Sequence, residues 1–108
     1  LAEGISENIQ WHELTDALEN GKQLLDVRSE MELANNGRFQ QALHIPLDEL
    51  RDRLSELDPS VSYVVTCHSG LRSYIAERIL KQAGINCQNL DGAFSLYNTI
   101  KPEMIIHD

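Results

Sequence analysis

Apolar positions along the chain alternate between two spacings. Leu24, Leu25 and Val27 make a short run over Gln23–Val27, and Ser62–Thr66 (Ser-Tyr-Val-Val-Thr) is mostly β-branched or aromatic. Such runs predict buried strands. Shorter strands are predicted at Ile9–Trp11, Ala42–Ile45 and Ile85–Leu90. Between the strands the spacing lengthens to three and four. Trp11, Leu14 and Leu18 share a helix face closed by Asn20-Gly21, and they read most simply as core. Ser29 is placed to cap a short helix over Glu30–Asn35, ended by Asn36-Gly37. Leu47, Leu50, Leu54 and Leu57 lie at helical spacing before Asp58-Pro59. The most regular helix is Ser73–Ala83, with Ile75, Ala76, Ile79, Leu80 and Ala83 on one face and Gly84 at its end. A last helical stretch is predicted near Ala93–Ile100. Strands alternating with helices predict parallel βαβ units and a three-layer α/β domain. In such sheets ligands bind beyond the carboxyl ends of the strands. That directs attention to the segment after Thr66.

Composition narrows the picture. A chain of 108 residues fits one domain, and 42% hydrophobic content is enough for a core. No apolar run approaches the ~18–20 residues of a membrane span. Seventeen acidic residues against nine basic ones give a charge of −8, so neither nucleic acid nor membrane is expected as a partner. Two cysteines are too few for a disulfide framework and fit no zinc spacing, and His12, His44 and His107 are too dispersed to nominate a metal site. The charge is uneven. Residues 1–32 carry eight acids and two bases, while residues 59–90 carry one acid and three bases. The acidic run reads as a solvated face. Leu1 stands where a start methionine would, with no leader sequence after it, so the chain reads as an excised or processed domain in the cytoplasm. Residues 1–8 are expected to form a linker or arm, 9–102 the domain, and 103–108 a tail. Met104–Ile106 in that tail would pack on this domain or on a partner.

The segment after Thr66 is Cys67-His68-Ser69-Gly70-Leu71-Arg72-Ser73. It places a cysteine between a buried strand and a helix start. Helix N-termini offer unpaired N–H groups and a positive dipole end, which favour anions and thiolates. Gly70 permits a backbone in which several N–H groups converge, Arg72 adds a cation at the rim, and Ser69 and Ser73 add hydroxyls. His68 reads either as a donor to a bound anion or as an incidental loop residue.

These residues resemble the rhodanese active-site loop, C-x-x-G-x-R-S. Leu24-Leu25-Asp26-Val27-Arg28-Ser29 is similar to the family's "DVR" strand, with Glu32 at its usual acidic position. Gly37–Pro46 resembles the G-H-I-x-x-A-x-x-I-P segment, and Asp91-Gly92-Ala93 the D-G-G turn. Arg38 stands where histidine is usual, Ala93 replaces a glycine, and Tyr97 stands where many members carry tryptophan. The ending is similar to rhodanese domains fused behind FAD-dependent coenzyme A-disulfide or persulfide reductases. The resemblance implies a central five-stranded parallel sheet with helices on both faces.

It also implies a chemistry. Cys67 would take sulfur from a small anionic donor, thiosulfate or a low-molecular-weight persulfide, and pass it to a thiol or cyanide. The backbone of His68, Ser69, Gly70, Leu71 and Arg72 would hold the persulfide, with Arg72 orienting the donor. Asp26, Arg28 and Ser73 would support the loop. No cofactor is implied in this domain; FAD and coenzyme A belong to a fused parent, and a flavin reductase domain is the implied partner. An alternative is a sulfur relay or docking module without turnover. A phosphatase or arsenate-reductase activity ranks below both, because four residues separate Cys67 from Arg72 and phosphatases place five there. Cys87, inside a predicted strand, reads as a packed core thiol or as a resolving partner for Cys67.

Overall fold

The structure, a computed structural model, describes residues 8–68, 71–90 and 105–106, with the side chain of Trp11 left out. The arm before Asn8, Ser69, Gly70, the Asp91-Gly92-Ala93 turn, the Ala93–Ile100 helix, Tyr97 and Met104 lie outside the described residues.

In chain order the elements are β1 (Asn8–Ile9), a 3-10 turn at Trp11–Glu13 running into α1 (Leu14–Glu19), β2 (Gln23–Asp26), α2 (Glu30–Asn36), β3 (Arg38–Phe39) and β4 (Ala42–His44). Two 3-10 segments follow, Leu47–Glu49 and Arg51–Glu56, then β5 (Tyr63–Thr66), α3 (Leu71–Gln82), β6 (Cys87–Leu90) and β7 (Ile105–Ile106). Five strands form one parallel sheet in the order β1-β6-β5-β2-β4. The fold is α/β with a five-stranded parallel sheet, as expected.

Strand periodicity divides the core. Successive side chains point to opposite faces of a sheet. Leu25 and Val65 therefore pack with Ala76, Ile79 and Leu80 of α3 and with Leu50 and Leu57. Their neighbours Leu24 and Val64 pack with Leu14 and Ala17 of α1 and with Phe39. These two clusters fill the two interfaces between the sheet and the elements packed on its faces, which gives three layers. Ile105, from the expected tail, is buried in the second cluster and pairs through β7 with β3 in an antiparallel ribbon. Asn8, from the expected arm, pairs with Asn89.

Two elements depart from expectation. The leucine run forms 3-10 segments with a kink at Arg53 (φ −117°, ψ 17°) instead of one α-helix. Arg53 holds the segment by bonding Glu49 and Glu56 at 2.9 and 2.8 Å. Leu50 and Leu57, which flank the Arg51–Glu56 segment, are still buried. Helix α3 begins at Leu71, two residues early, so Arg72 and Ser73 sit in its first turn. Its buried face is Ser73, Ala76, Glu77, Ile79 and Leu80, while Ile75 and Ala83 face outward. Two polar residues on that face hide its orientation from hydropathy.

The chain leaves β2 toward β4 and leaves β5 in the opposite direction, toward β6. A crevice forms at the carboxyl ends of adjacent strands whose connections diverge. Here that place lies between β2 and β5, where the Val27 N–H donates to the Thr66 carbonyl at 3.0 Å.

Candidate active site

Cys67 follows β5 directly and is fully buried. The Ser73 backbone N–H, in the first turn of α3, donates to Cys67 Sγ at 3.3 Å. Ser73 Oγ lies 3.6 Å from the same sulfur and donates to Asn89 Oδ1 at 2.6 Å. The sulfur thus faces a helix N-terminus that aims a donor at it, the arrangement that favours negative charge. His68 and Leu71 are exposed. Ser69 and Gly70 are the residues of the expected cradle that lie outside the description.

Arg72 is committed to a partner. Its guanidinium grips Glu32 with two bonds, at 2.6 and 2.7 Å. Glu32 Oε1 also accepts from the Ser29 N–H at 2.9 Å, while Ser29 Oγ accepts from the Glu32 N–H at 3.2 Å. This capping box starts α2: Ser29 is the expected cap, and Glu32, three positions on, completes the box. One carboxylate therefore ties the first turn of α2 to the first turn of α3. The guanidinium bonds first, and the Ser29 bonds next, hold the Glu32 carboxyl down from the ordinary 4.5 to about 2, against a contrary push from burial. The sign for stability follows directly. A depressed carboxyl stabilises the fold above its unfolded value, and that contribution fades as pH falls from about 4.5 to about 2. Glu32→Gln is expected to be less stable than wild type at pH 7. Urea titrations across pH should show that gap closing on acidification; a gap that holds constant down to pH 2 would exclude this pair as its source.

Asp26 and Arg28 are both fully buried and paired at 2.8 Å. Asp26 Oδ1 also accepts from the Arg28 N–H at 3.0 Å, and Arg28 donates to the Gly37 carbonyl at 3.0 Å. These bonds brace the connection from β2 through α2 to the glycine after it. Gly37 holds φ at +85°, which a side chain would strain. A cleft of about 320 Å³ opens at the divergence of β2 and β5, lined by Val27, Ser29, Pro46, Leu47, Asp48 and Arg72.

Cys87 is a buried core thiol on β6, pushed up to about 11 mainly by burial. Register places it beside Tyr63, four residues before Cys67. At ~3.3 Å per strand residue the two cysteines are separated by roughly 13 Å, well beyond the ~7 Å that a disulfide spans. This corrects the resolving-partner reading. Both cysteines are free. Among the described residues no cluster suits a metal ion, and no helix is long and apolar enough to cross a membrane.

Sequence reading missed Asn89 and the grip of Arg72 on Glu32. A polar residue two positions from Cys87 on a strand is the signal that would have found the first. The second joins residues 40 apart and needs the fold.

Known proteins share this fold. The rhodanese-like domain family matches residues 10–99. The chain is 43% identical to part of the crystal structure of reduced Bacillus anthracis CoADR-RHD, with a TM-score of 0.89 over 97% of this chain and 19% of that one. It is 39% identical to part of the NAD-dependent persulfide reductase from A. fulgidus, with a TM-score of 0.71 over 89% of this chain and 16% of that one. It therefore spans less than a fifth of either solved chain. It is also 31% identical over 85 residues to the thiosulfate sulfurtransferase GlpE of Pseudomonas aeruginosa, covering 78% of this chain and 76% of that protein. Over nearly its whole length the chain belongs to the rhodanese-like domain family.

Proposed function

We propose that this domain transfers sulfane sulfur through a persulfide on Cys67. The observation that carries the reading is the Cys67 sulfur buried at the strand–helix junction with the Ser73 N–H aimed at it. The Cys67 thiolate attacks the outer sulfur of thiosulfate. The new Cys67 S–S bond forms as the donor's S–S bond breaks, and sulfite leaves with the electron pair. An organic persulfide donates in the same way, with a thiolate leaving. Cyanide or a thiolate then attacks the terminal sulfur and departs as thiocyanate or a new persulfide, returning Cys67 as thiolate. Donors at the helix N-terminus stabilise the negative charge on sulfur at each stage. The loop backbone from His68 to Arg72, including Ser69, Gly70 and Leu71, is assigned to holding that sulfur.

This reading gives Arg72 a different task from the one its motif implies. Its charge is already balanced by Glu32, so it braces α3 against α2 instead of receiving the donor. Arg72→Ala should slow loading from thiosulfate and from an alkyl persulfide (R-S-SH), which carries no sulfonate, to a similar extent. A loss confined to thiosulfate would restore the donor-orienting role.

The test is intact mass after incubation with thiosulfate or glutathione persulfide. Gain of one sulfur, located on the Cys67 peptide, supports the reading; no gain from either donor sinks it. Thiosulfate:cyanide turnover then separates two forms of it. Turnover marks a free-standing sulfurtransferase. Loading without turnover marks a relay to a flavin reductase domain, fused or separate, which would hold any FAD and coenzyme A. The relay form is favoured by the two solved chains in which the matching part is 19% and 16% of a longer protein.

A further inference from the structure

Side chains on β6 alternate as they do on β5. Cys87 packs in the cluster that contains Val65, Cys67 and α3, and Asn89, two residues on, reaches Ser73 of α3. Asn89 pairs in register with Val65, two residues before Cys67. It therefore stands on the sulfur's side of the sheet, one strand away.

The Ser73 hydroxyl is 2.6 Å from Asn89 Oδ1. An amide oxygen cannot donate, so the proton between these two oxygens belongs to the serine. The same Ser73 Oγ is 3.6 Å from Cys67 Sγ. What the serine turns toward the sulfur is thus a lone pair. That orientation suits a thiol, whose S–H can donate to it, and opposes a thiolate. The Ser73 N–H donates to the sulfur in either state.

We propose that Asn89 is a positioning residue that keeps the Ser73 hydroxyl proton turned away from Cys67, releasing it to the sulfur only when negative charge gathers there. The change is a rotation about the Ser73 Cβ–Oγ bond; the proton stays on its oxygen and no covalent bond is altered. The inference rests on Cys67 as the reacting sulfur. The charged or titratable described groups around Cys67 are Arg72 with its partner Glu32, Asp26 with its partner Arg28 at the end of β2, His68 next in the chain, and Glu77 with its partner Lys81, one turn on from Ser73 on the buried face of α3. The described part of β6 carries Cys87 roughly 13 Å along the sheet and no charged residue. Replacing Asn89 by a neutral residue leaves all of these charges in place.

The experiment is the pH dependence of Cys67 alkylation by iodoacetamide in the full chain, read by peptide mass spectrometry so that Cys87 is counted separately. Asn89→Ala removes the acceptor that holds the hydroxyl proton away from the sulfur. It should lower the midpoint by about one pH unit, roughly tenfold in thiolate on the acid side, because wild type gives up the Ser73–Asn89 bond when the hydroxyl turns to the thiolate and the variant does not. Asn89→Leu, closer in shape, carries the same expectation if the alanine variant fails to fold. Asn89→Asp keeps an acceptor oxygen and should leave the midpoint at or above that of wild type. With Ser73→Ala as background, Asn89→Ala should move nothing further. A midpoint that rises or stays fixed in Asn89→Ala, that falls in Asn89→Asp, or whose shift survives without the Ser73 hydroxyl overturns the proposal. Sulfur loading of wild type is a separate readout. A profile that shifts as stated while Cys67 takes no sulfur defeats the transfer reading alone; loading with an unmoved profile defeats the Asn89 role alone.

Discussion

Cys67→Ser is expected to take up no sulfur from thiosulfate or an organic persulfide, and to lose thiosulfate:cyanide turnover by roughly a thousandfold or more. The substitution exchanges sulfur for oxygen at a fully buried site and leaves the Ser73 N–H, the helix dipole and the Arg72–Glu32 brace where they are. It removes only the atom that can hold a sulfane sulfur. Binding and charge stabilisation should survive, so the loss belongs to the nucleophile. Stability should change by no more than about 1 kcal/mol, since size and burial are nearly kept. Cys87 cannot compensate. Its thiol is pushed up to about 11, so little thiolate is present at neutral pH, and it is buried in β6. Intact mass and turnover on the purified variant check the result. Sulfur found on Cys87 in this variant would show that the wrong cysteine has been assigned.

Asp26→Ala is expected to be the most damaging substitution for stability. It strands the Arg28 guanidinium, which has no solvent exposure, without its carboxylate. Breaking a buried pair on one side costs about 3–5 kcal/mol, a large part of the ~5–15 kcal/mol that holds a domain together. For a domain of this size the melting temperature should fall by roughly 12 °C or more. Replacing both members by apolar residues should cost less than the single change, because no buried charge is then left alone. Urea denaturation of the single and double variants decides it. A single-variant loss below about 1 kcal/mol would mean that water or another group reaches Arg28.

The contrast between these variants reflects how the chain encodes its parts. Strands β2 and β5 are plain in the sequence, because a central parallel strand is buried on both faces and carries a continuous apolar run, Leu24-Leu25 in one and Tyr63-Val64-Val65 in the other. The Ser29 cap is plain because it is local: Ser29 bonds the N–H of Glu32 within one turn. The position of Cys67 is legible because the apolar strand before it and the helix after it both announce themselves. What escapes is whatever depends on distant residues. The motif names Arg72 but not its partner, and only the fold brings Glu32 to it. Glu77 looks like a surface residue yet is buried in α3, with Lys81 of the next turn reaching it at 3.0 Å. Asn89 looks like an ordinary polar position in a strand. Its bond to Ser73 becomes visible once register fixes which way β6 faces.

The separation of the two cysteines has a consequence for the lifetime of the loaded state. A carrier whose second thiol lies within reach can discharge itself, closing an internal disulfide and shedding its cargo as hydrosulfide. Here the geometry closes that route. Under the proposed function, a filled domain should hold its sulfur until a thiol or cyanide arrives from outside, so the rate of emptying should follow the concentration of that visitor. Diluting the loaded protein into acceptor-free buffer should therefore leave it filled, and its decay in any mixture becomes a clock for acceptor supply.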